Sequence, residues 1–174
     1  MKNYIATCLI LLSINSYSIS IAHDEETSCY DEDQIFKRCA NQKELYKAAI
    51  KGALHNKKEL LILFGYDNCG WSRSMHNILF FSSKAKKFND KYLIRTIANS
   101  SSNSTGQELV ESLVEEGKFT GKISFPFLII VDPKSGNPKK FITTGDNTEK
   151  NFDSWDWSGQ DLKKVEKLLL NLPK

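Results

Sequence analysis

The sequence is poor in histidine, and its few histidines are not arranged to bind a metal. Only three of the 174 residues are histidine, and none of His23, His55 and His76 has a metal-ligand spacing with the four cysteines. Zinc sites bring such side chains together at short, regular spacings. We therefore expect no metal site and no resident cofactor.

The chain also lacks a basic stripe of the kind that binds nucleic acid. Its 24 Lys and Arg residues slightly outnumber 21 Asp and Glu residues, but they occur singly or in pairs on the polar faces of predicted helices. This pattern is typical of a soluble surface and argues against nucleic-acid binding. Residues 24–33 carry six acids and no Lys or Arg, so we expect this segment to be solvated and flexible.

Beyond its first 22 residues the chain has no long apolar run, no internal repeat and no linker to a second domain. Residues 1–22 combine Lys2, the short apolar stretch "YIATCLILLSI" and small residues before His23, which is typical of a secretory signal peptide. An uncleaved anchor is the alternative, although a spanning helix needs about 20 apolar residues. We predict cleavage, export to the periplasm or the extracellular space, and no membrane contact afterwards.

Removal of the signal peptide would leave three cysteines in an oxidising compartment, where disulfides persist. The most economical arrangement pairs Cys29 with Cys39 across a short loop and leaves Cys69 as a free thiol. The alternative is that all three are inert thiols. The predicted organisation is a signal peptide over 1–22, an acidic N-terminal segment over 23–40 and a folded domain over 41–174.

Apolar patterns in the folded domain alternate between helical and strand periods. They predict helices over 42–55, from Trp71 to about Phe88, over "QELVESLVEEG" and over "GQDLKKVEKLLLNL". They predict strands at "ELLILFG", "YLIRTIA" and "PFLIIVD", and an edge strand at "KKFITTG" after the turn "PKSGNP". The alternation predicts three parallel strands joined by right-handed crossovers, and one final antiparallel strand. The expected fold is α/β with a mixed sheet.

Two motifs resemble those of thioredoxin-like proteins. "LLILFGYDNCGWS" resembles their strand and active-site turn, and "ISFPFLIIVDPKSG" resembles their proline-initiated strand with its hairpin. The resemblance covers residues 41–172 and implies a three-layer sandwich with a mixed central sheet of about four strands flanked by helices. In the family the proline is typically cis and lies beside the reactive cysteine, which implies that Pro126 faces Cys69. The resemblance implies substrate contacts at Gly70, Trp71, Phe125 and Pro126.

The turn departs from the family pattern at two linked positions. The usual turn is C-x-x-C, whereas "CGWS" has Ser72 in place of the second cysteine. Thioredoxins carry a buried acid six residues before the first cysteine, and this acid helps the second cysteine exchange its proton. This chain has Leu63 there, which agrees with the loss of the second thiol.

Cys69 and Ser72 are the predicted catalytic residues. Cys69 opens a predicted helix, whose unpaired N–H groups and positive dipole end favour a thiolate. Ser72 can donate a hydrogen bond to that thiolate, but a hydroxyl cannot form a disulfide. His76 lies about 10 Å along the helix from Cys69, too far for a base, and is interpreted as a surface residue.

These features predict mixed disulfides with protein substrates, in isomerase-like or monothiol exchange. Another thiol must release the substrate from Cys69. This thiol belongs to the substrate itself, to glutathione or to a partner reductase. One alternative is a redox-inactive thioredoxin-like binding module or chaperone that retains client proteins. Another follows from the likeness of "CGWS" to the "CGFS" of monothiol glutaredoxins, which hold an iron-sulfur cluster with glutathione.

Overall fold

The structure is a computed structural model that describes residues 34–99, 104–144 and 161–171. The predicted signal peptide and Cys29 lie outside these ranges. The elements are α1 (Gln42–His55), β1 (Glu59–Gly65), α2 (Gly70–Phe81), α3 (Ala85–Lys91), β2 (Tyr92–Ala98), α4 (Ser104–Glu116), β3 (Phe127–Val131), β4 (Pro138–Thr143) and α5 (Leu162–Leu170). None of the helices in the described ranges is long and apolar enough to span a bilayer.

The four strands form one sheet in the order β2-β1-β3-β4. β1 and β2 are parallel, and β4 pairs antiparallel with β3, as predicted. However, β3 is antiparallel to β1, with Phe127 opposite Phe64, so the prediction of three parallel strands is wrong.

The connection between α4 and β3 explains this reversal. Residues 117–126 lie outside helices and strands, and ten extended residues reach about 33 Å. The helix α4 has 13 residues and is about 20 Å long. The connection is therefore long enough to return the chain to the C-terminal end of β1, where β3 begins.

The sheet separates two apolar layers, because successive side chains of β1 point to opposite faces. Leu61 and Leu63 belong to the layer beneath α2, α3 and α5. Leu60, Ile62 and Phe64 belong to the layer beneath α1 and α4. Both central strands are buried along nearly their whole length. The arrangement of helices, sheet and helices is the expected three-layer sandwich.

The predicted helix from Trp71 to about Phe88 is in fact two helices, α2 and α3. The chain leaves the helical conformation at Ser82, whose φ is −73° and ψ is 168°. The Ser82 hydroxyl accepts a hydrogen bond from the backbone N–H of Lys84 at 3.2 Å. Serine side chains that bind nearby backbone in this way compete with helix formation, and periodicity alone does not reveal such a break.

The core also includes a segment that the sequence analysis assigned outside the folded domain. Residues 34–40, here called the N-terminal strap, precede α1 and form no helix or strand. Phe36 in the strap is fully buried in the layer beneath α2, α3 and α5. Packing of the domain therefore begins before residue 41.

Candidate functional site

Cys69 is the N-cap residue of α2, with an extended backbone at φ −92° and ψ 109°. The corresponding residues of α1 and α5, Asn41 and Asp161, use side-chain oxygens to accept helix N–H groups. Cys69 makes no such capping bond. It is partly exposed and is the free cysteine of the described residues. A thiol at a helix N-terminus experiences a field that favours the thiolate.

Tyr66 lies at the start of the turn that carries Cys69. The backbone N–H of Cys69 donates to the Tyr66 carbonyl at 3.1 Å. Burial raises the pKa of the Tyr66 phenol, and the charge of Cys69 and a hydrogen bond with its side chain raise it further. The phenol therefore stays protonated at neutral pH, next to the Cys69 side chain.

The ring of Tyr66 also contacts the second motif. It packs edge-on against Phe125, with ring centroids 5.9 Å apart and planes at 64°. The peptide bond between Phe125 and Pro126 is cis. Because Phe127 is opposite Phe64, near the C-terminal end of β1, this peptide lies at the same end of the sheet as the Cys69 turn. The two motifs that carry the family resemblance thus meet through Tyr66.

The other residues predicted to contact substrate differ in exposure. Gly70 is exposed, and a side chain at this position would meet no atom within 4 Å. Trp71 and Phe125 are partly exposed, whereas Pro126 is buried. The carbonyl of Pro126 accepts a hydrogen bond from the buried Thr144 hydroxyl at 2.7 Å. Of these four residues, Gly70, Trp71 and Phe125 therefore have surface exposed to solvent.

Ser72 is buried beneath the turn and makes no hydrogen bond with the thiol. It is fully buried, and its Oγ has no hydrogen-bond partner in the described part of the chain. A Cβ built on Gly65 would lie 2.7 Å from Ser72 Oγ and 2.7 Å from Phe36 Cζ, so the serine packs against Gly65 beside the Phe36 ring. The predicted hydrogen bond from Ser72 to Cys69 is not formed, because the helix turns this side chain inward.

Asp67, two residues before Cys69, fastens the turn to the N-terminal strap. Its Oδ1 accepts hydrogen bonds from the backbone N–H groups of Ile35 at 2.9 Å and Phe36 at 3.2 Å. Its Oδ2 is buried and has no hydrogen-bond partner among the described residues. Sequence reasoning missed both Tyr66 and Asp67. Their place directly before the cysteine in "GYDNC" was the available signal, but sequence alone does not say what they contact.

His76 is partly exposed, and aromatic neighbours cover part of its ring. Its ring stacks on Phe80, with centroids 4.6 Å apart, and meets Phe81 edge-on at 5.6 Å. Burial lowers the pKa of His76, while a hydrogen bond with Asn77 and the charge of Asp67 oppose this shift. Two aromatic neighbours on its own helix explain why the imidazole is covered.

The remaining predicted sites concern disulfides and metals. Cys39 is disulfide-bonded, whereas Cys29, its predicted partner, lies outside the described residues, so this pairing stays a prediction. Across residues 34–99, 104–144 and 161–171, no group of three or more His, Cys, Asp or Glu side chains could hold a metal ion.

No protein-family model matches the chain, and no curated protein matches it in sequence. Among solved structures, the disulphide isomerase from Xylella fastidiosa Temecula1 is similar, with a TM-score of 0.53 and 14% identity over 63% of this chain and 79% of that chain. A DsbH oxidoreductase matches with a TM-score of 0.40 and 19% identity over 72% of this chain and 81% of that chain. The likeness to the isomerase concerns the fold, and together with the mixed four-stranded sheet it shows that the chain has a thioredoxin-like fold.

Proposed function

We propose that the protein performs thiol–disulfide exchange on other proteins, with Cys69 as its single nucleophile. The observation that carries this proposal is the surroundings of Cys69, a free and partly exposed thiol at the N-terminus of α2 with the Tyr66 phenol beside it. The helix terminus and a phenol donor both stabilise negative charge on sulfur. The thiolate is the form of cysteine that attacks disulfides.

The proposed reaction has two exchange steps. The Cys69 thiolate attacks one sulfur of a substrate disulfide, and a new sulfur–sulfur bond forms as the second substrate sulfur leaves as a thiolate. Because Ser72 cannot displace the substrate, an external thiolate must attack the mixed disulfide and release Cys69. If a substrate thiolate other than the one first displaced attacks the substrate sulfur of the mixed disulfide, a new substrate disulfide forms, Cys69 leaves as a thiolate, and the outcome is isomerisation. If glutathione supplies the thiolate, the substrate leaves as a mixed disulfide with glutathione, and a second glutathione thiolate then releases the reduced substrate and forms glutathione disulfide. A dithiol reductase supplies both thiols itself and ends as its own disulfide.

The proposed substrate surface is the exposed rim of the turn. Gly70 leaves open space next to Cys69 in sequence, and Trp71 and Phe125 offer partly exposed aromatic surface. The family resemblance adds the backbone at Pro126. We further propose that the mature protein acts after export, in the periplasm or outside the cell, where substrate proteins carry disulfides.

A redox-inactive binding module or chaperone is the second candidate, and one observation favours it. Position 72 is fully buried and carries a hydroxyl, so a client bound through Cys69 has no internal route of release. Such a protein would retain clients rather than turn them over.

A refolding assay separates the two functions. The protein is incubated with a scrambled-disulfide model protein in a glutathione buffer, and recovery of the model protein's activity is measured. The matched control is Cys69→Ser, which preserves the size of the side chain. An exchange enzyme accelerates recovery in a Cys69-dependent manner. Mixed disulfides on Cys69 without faster recovery would support the binding module, and the absence of both would reject the exchange function.

A further inference from the structure

The most exposed large apolar side chain of the described residues belongs to the reactive helix. Phe81, in the last turn of α2, is 76% exposed, and the next is Leu54 on α1 at 44%. The ring of Phe81 meets His76 edge-on, with centroids 5.6 Å apart, and lies 6.5 Å from Phe80. His76 itself stacks on Phe80 at 4.6 Å. Single exposed apolar residues are ordinary on a protein surface, whereas three aromatic rings in contact form a patch that calls for a partner.

This aromatic patch lies on the side of α2 that begins at the thiol. Successive residues of an α-helix are about 100° apart, so residues three or four apart share one side. That spacing relates Cys69, Arg73, His76 and Phe80, which fall within about 60° of one another around the axis. Arg73 is exposed, and His76 and Phe80 are partly exposed. The side chains of Arg73, His76, Phe80 and Phe81 are here called the α2 ridge.

The α2 ridge is too small to hold a stable partner by itself. An aromatic side chain buries about 150–250 Å², whereas a stable interface buries about 800 Å² on each partner. The area therefore argues against a dimer or an independent protein partner at this place. A client bonded to Cys69 is different, because the disulfide keeps its chain beside the ridge at a high effective concentration. Weak apolar contacts are then enough.

We infer that the α2 ridge binds the client chain while that chain is disulfide-bonded to Cys69, and that Phe81 determines which clients are preferred. This inference rests on the proposed function, because it names the substrate class of the same thiol. The helix α2 has 12 residues, so Phe81 lies about 18 Å from its start. An extended chain covers this distance in about five residues. The preferred clients are extended segments with an aromatic or large aliphatic side chain about five residues from the reacting cysteine.

The test is a competition between a peptide thiol and glutathione for Cys69. Glutathione disulfide first converts Cys69 into a mixed disulfide with glutathione. The thiolate of a peptide cysteine then attacks the Cys69 sulfur, a new sulfur–sulfur bond forms, and glutathione leaves as a thiolate that takes up the proton given up by the peptide. This second step has no net oxidation or reduction, so its equilibrium reports only which adduct is more stable. Mass spectrometry of the acid-quenched protein gives the ratio of the two adducts.

Three peptides with one cysteine in a glycine–serine chain are compared. The first has phenylalanine five residues from the cysteine on both sides, so the direction of binding does not matter. The second has serine at those places, and the third has phenylalanine two residues away. On the parent, the first peptide should displace glutathione about threefold to tenfold more effectively than the second. Phe81→Ser should abolish this preference, and Leu54→Ser, a matched exposed apolar residue on α1, should retain it. The ratio for the third peptide should not depend on Phe81.

Each other outcome overturns the inference in a recognisable way. The same preference for the first peptide in the parent and in Phe81→Ser would show that the ridge does not bind it. A parent that sediments as a dimer and becomes monomeric in Phe81→Ser would identify a second copy of the chain as the occupant. If the glutathione adduct forms but the peptides are not distinguished, the docking inference fails and the proposed exchange chemistry stands. If no adduct forms on Cys69, the proposed function fails and the inference fails with it.

Discussion

Removal of the Tyr66 hydroxyl tests whether the phenol stabilises the Cys69 thiolate. Tyr66→Phe keeps the ring that packs against Phe125 at 5.9 Å and deletes only the donor. A hydrogen bond to a charged group contributes about 1.5–3 kcal/mol. Because Tyr66 is partly exposed, roughly half of that, about 0.7–1.4 kcal/mol, is the better expectation. The thiolate fraction below the midpoint should therefore fall about threefold to tenfold.

Nucleophilicity modifies the rate that is actually measured. A less stabilised thiolate is a stronger nucleophile, with a Brønsted coefficient of about 0.4–0.5, so roughly half of the logarithmic loss is recovered. Alkylation of Tyr66→Phe should thus be about twofold to threefold slower than the parent at low pH. At high pH, where both proteins are fully thiolate, the variant should be faster by a similar factor. The two pH profiles should cross.

The control for this measurement is a second phenol remote from the site. The hydroxyl of Tyr46 donates to the carbonyl of Gly136 at 2.8 Å. Gly136 lies in the turn after β3, at the end of the sheet opposite to the Cys69 turn. Tyr46→Phe should leave the Cys69 profile unchanged. Superimposable profiles for Tyr66→Phe and Tyr46→Phe would refute the argument, because the phenol beside the sulfur would then contribute nothing to its charge.

Two further predictions concern α2. Burial lowers the pKa of His76 from its ordinary 6.5, so below that pH the unfolded chain binds more protons and stability should fall as pH decreases. Thermal unfolding between about pH 5 and pH 8 should show this loss, and His76→Phe should diminish it; an equal slope in both proteins would contradict the assignment. Ser72→Cys places a second sulfur one turn from Cys69. Mass spectrometry under non-reducing conditions should therefore find an internal disulfide, and the variant should gain activity in insulin reduction. Two alkylated thiols after oxidation would count against an active-site turn.

Local sequence patterns predicted the elements of this fold because the information lies within each segment. The apolar run of β1 and the period of α1 identify a buried strand and an amphipathic helix without reference to the rest of the chain. The direction of β3 depends instead on how far the connection over 117–126 carries the chain. The same limit applies at Ser82, where one side-chain hydrogen bond decides that a helical pattern becomes two helices.

The same distinction between local sequence information and long-range packing applies to the candidate site. Cys69 was recognisable because a cysteine between a buried strand and a helix has a predictable field around it. The strap was not recognisable, because Phe36 and Asp67 are 31 residues apart in sequence and are joined by a hydrogen bond from the backbone N–H of Phe36 to the Asp67 carboxylate. The inward direction of Ser72 depends on Gly65 and on that same Phe36 ring. Long-range packing thus determines which neighbours of the cysteine reach the sulfur.

The absence of a second thiol links the two candidate functions. Leu63, where thioredoxins carry an acid, is fully buried in the apolar layer beneath α2, so nothing at that position moves a proton for position 72. Under the proposed function, release of a client from Cys69 then depends on an external thiol, at a rate set by the concentration and the thiolate fraction of that thiol. A client with a nearby thiol of its own leaves quickly as an isomerised product, whereas a client without one stays bound until glutathione or a reductase arrives. Exchange and retention are therefore two kinetic regimes of one chemistry, and the client's free thiol selects between them.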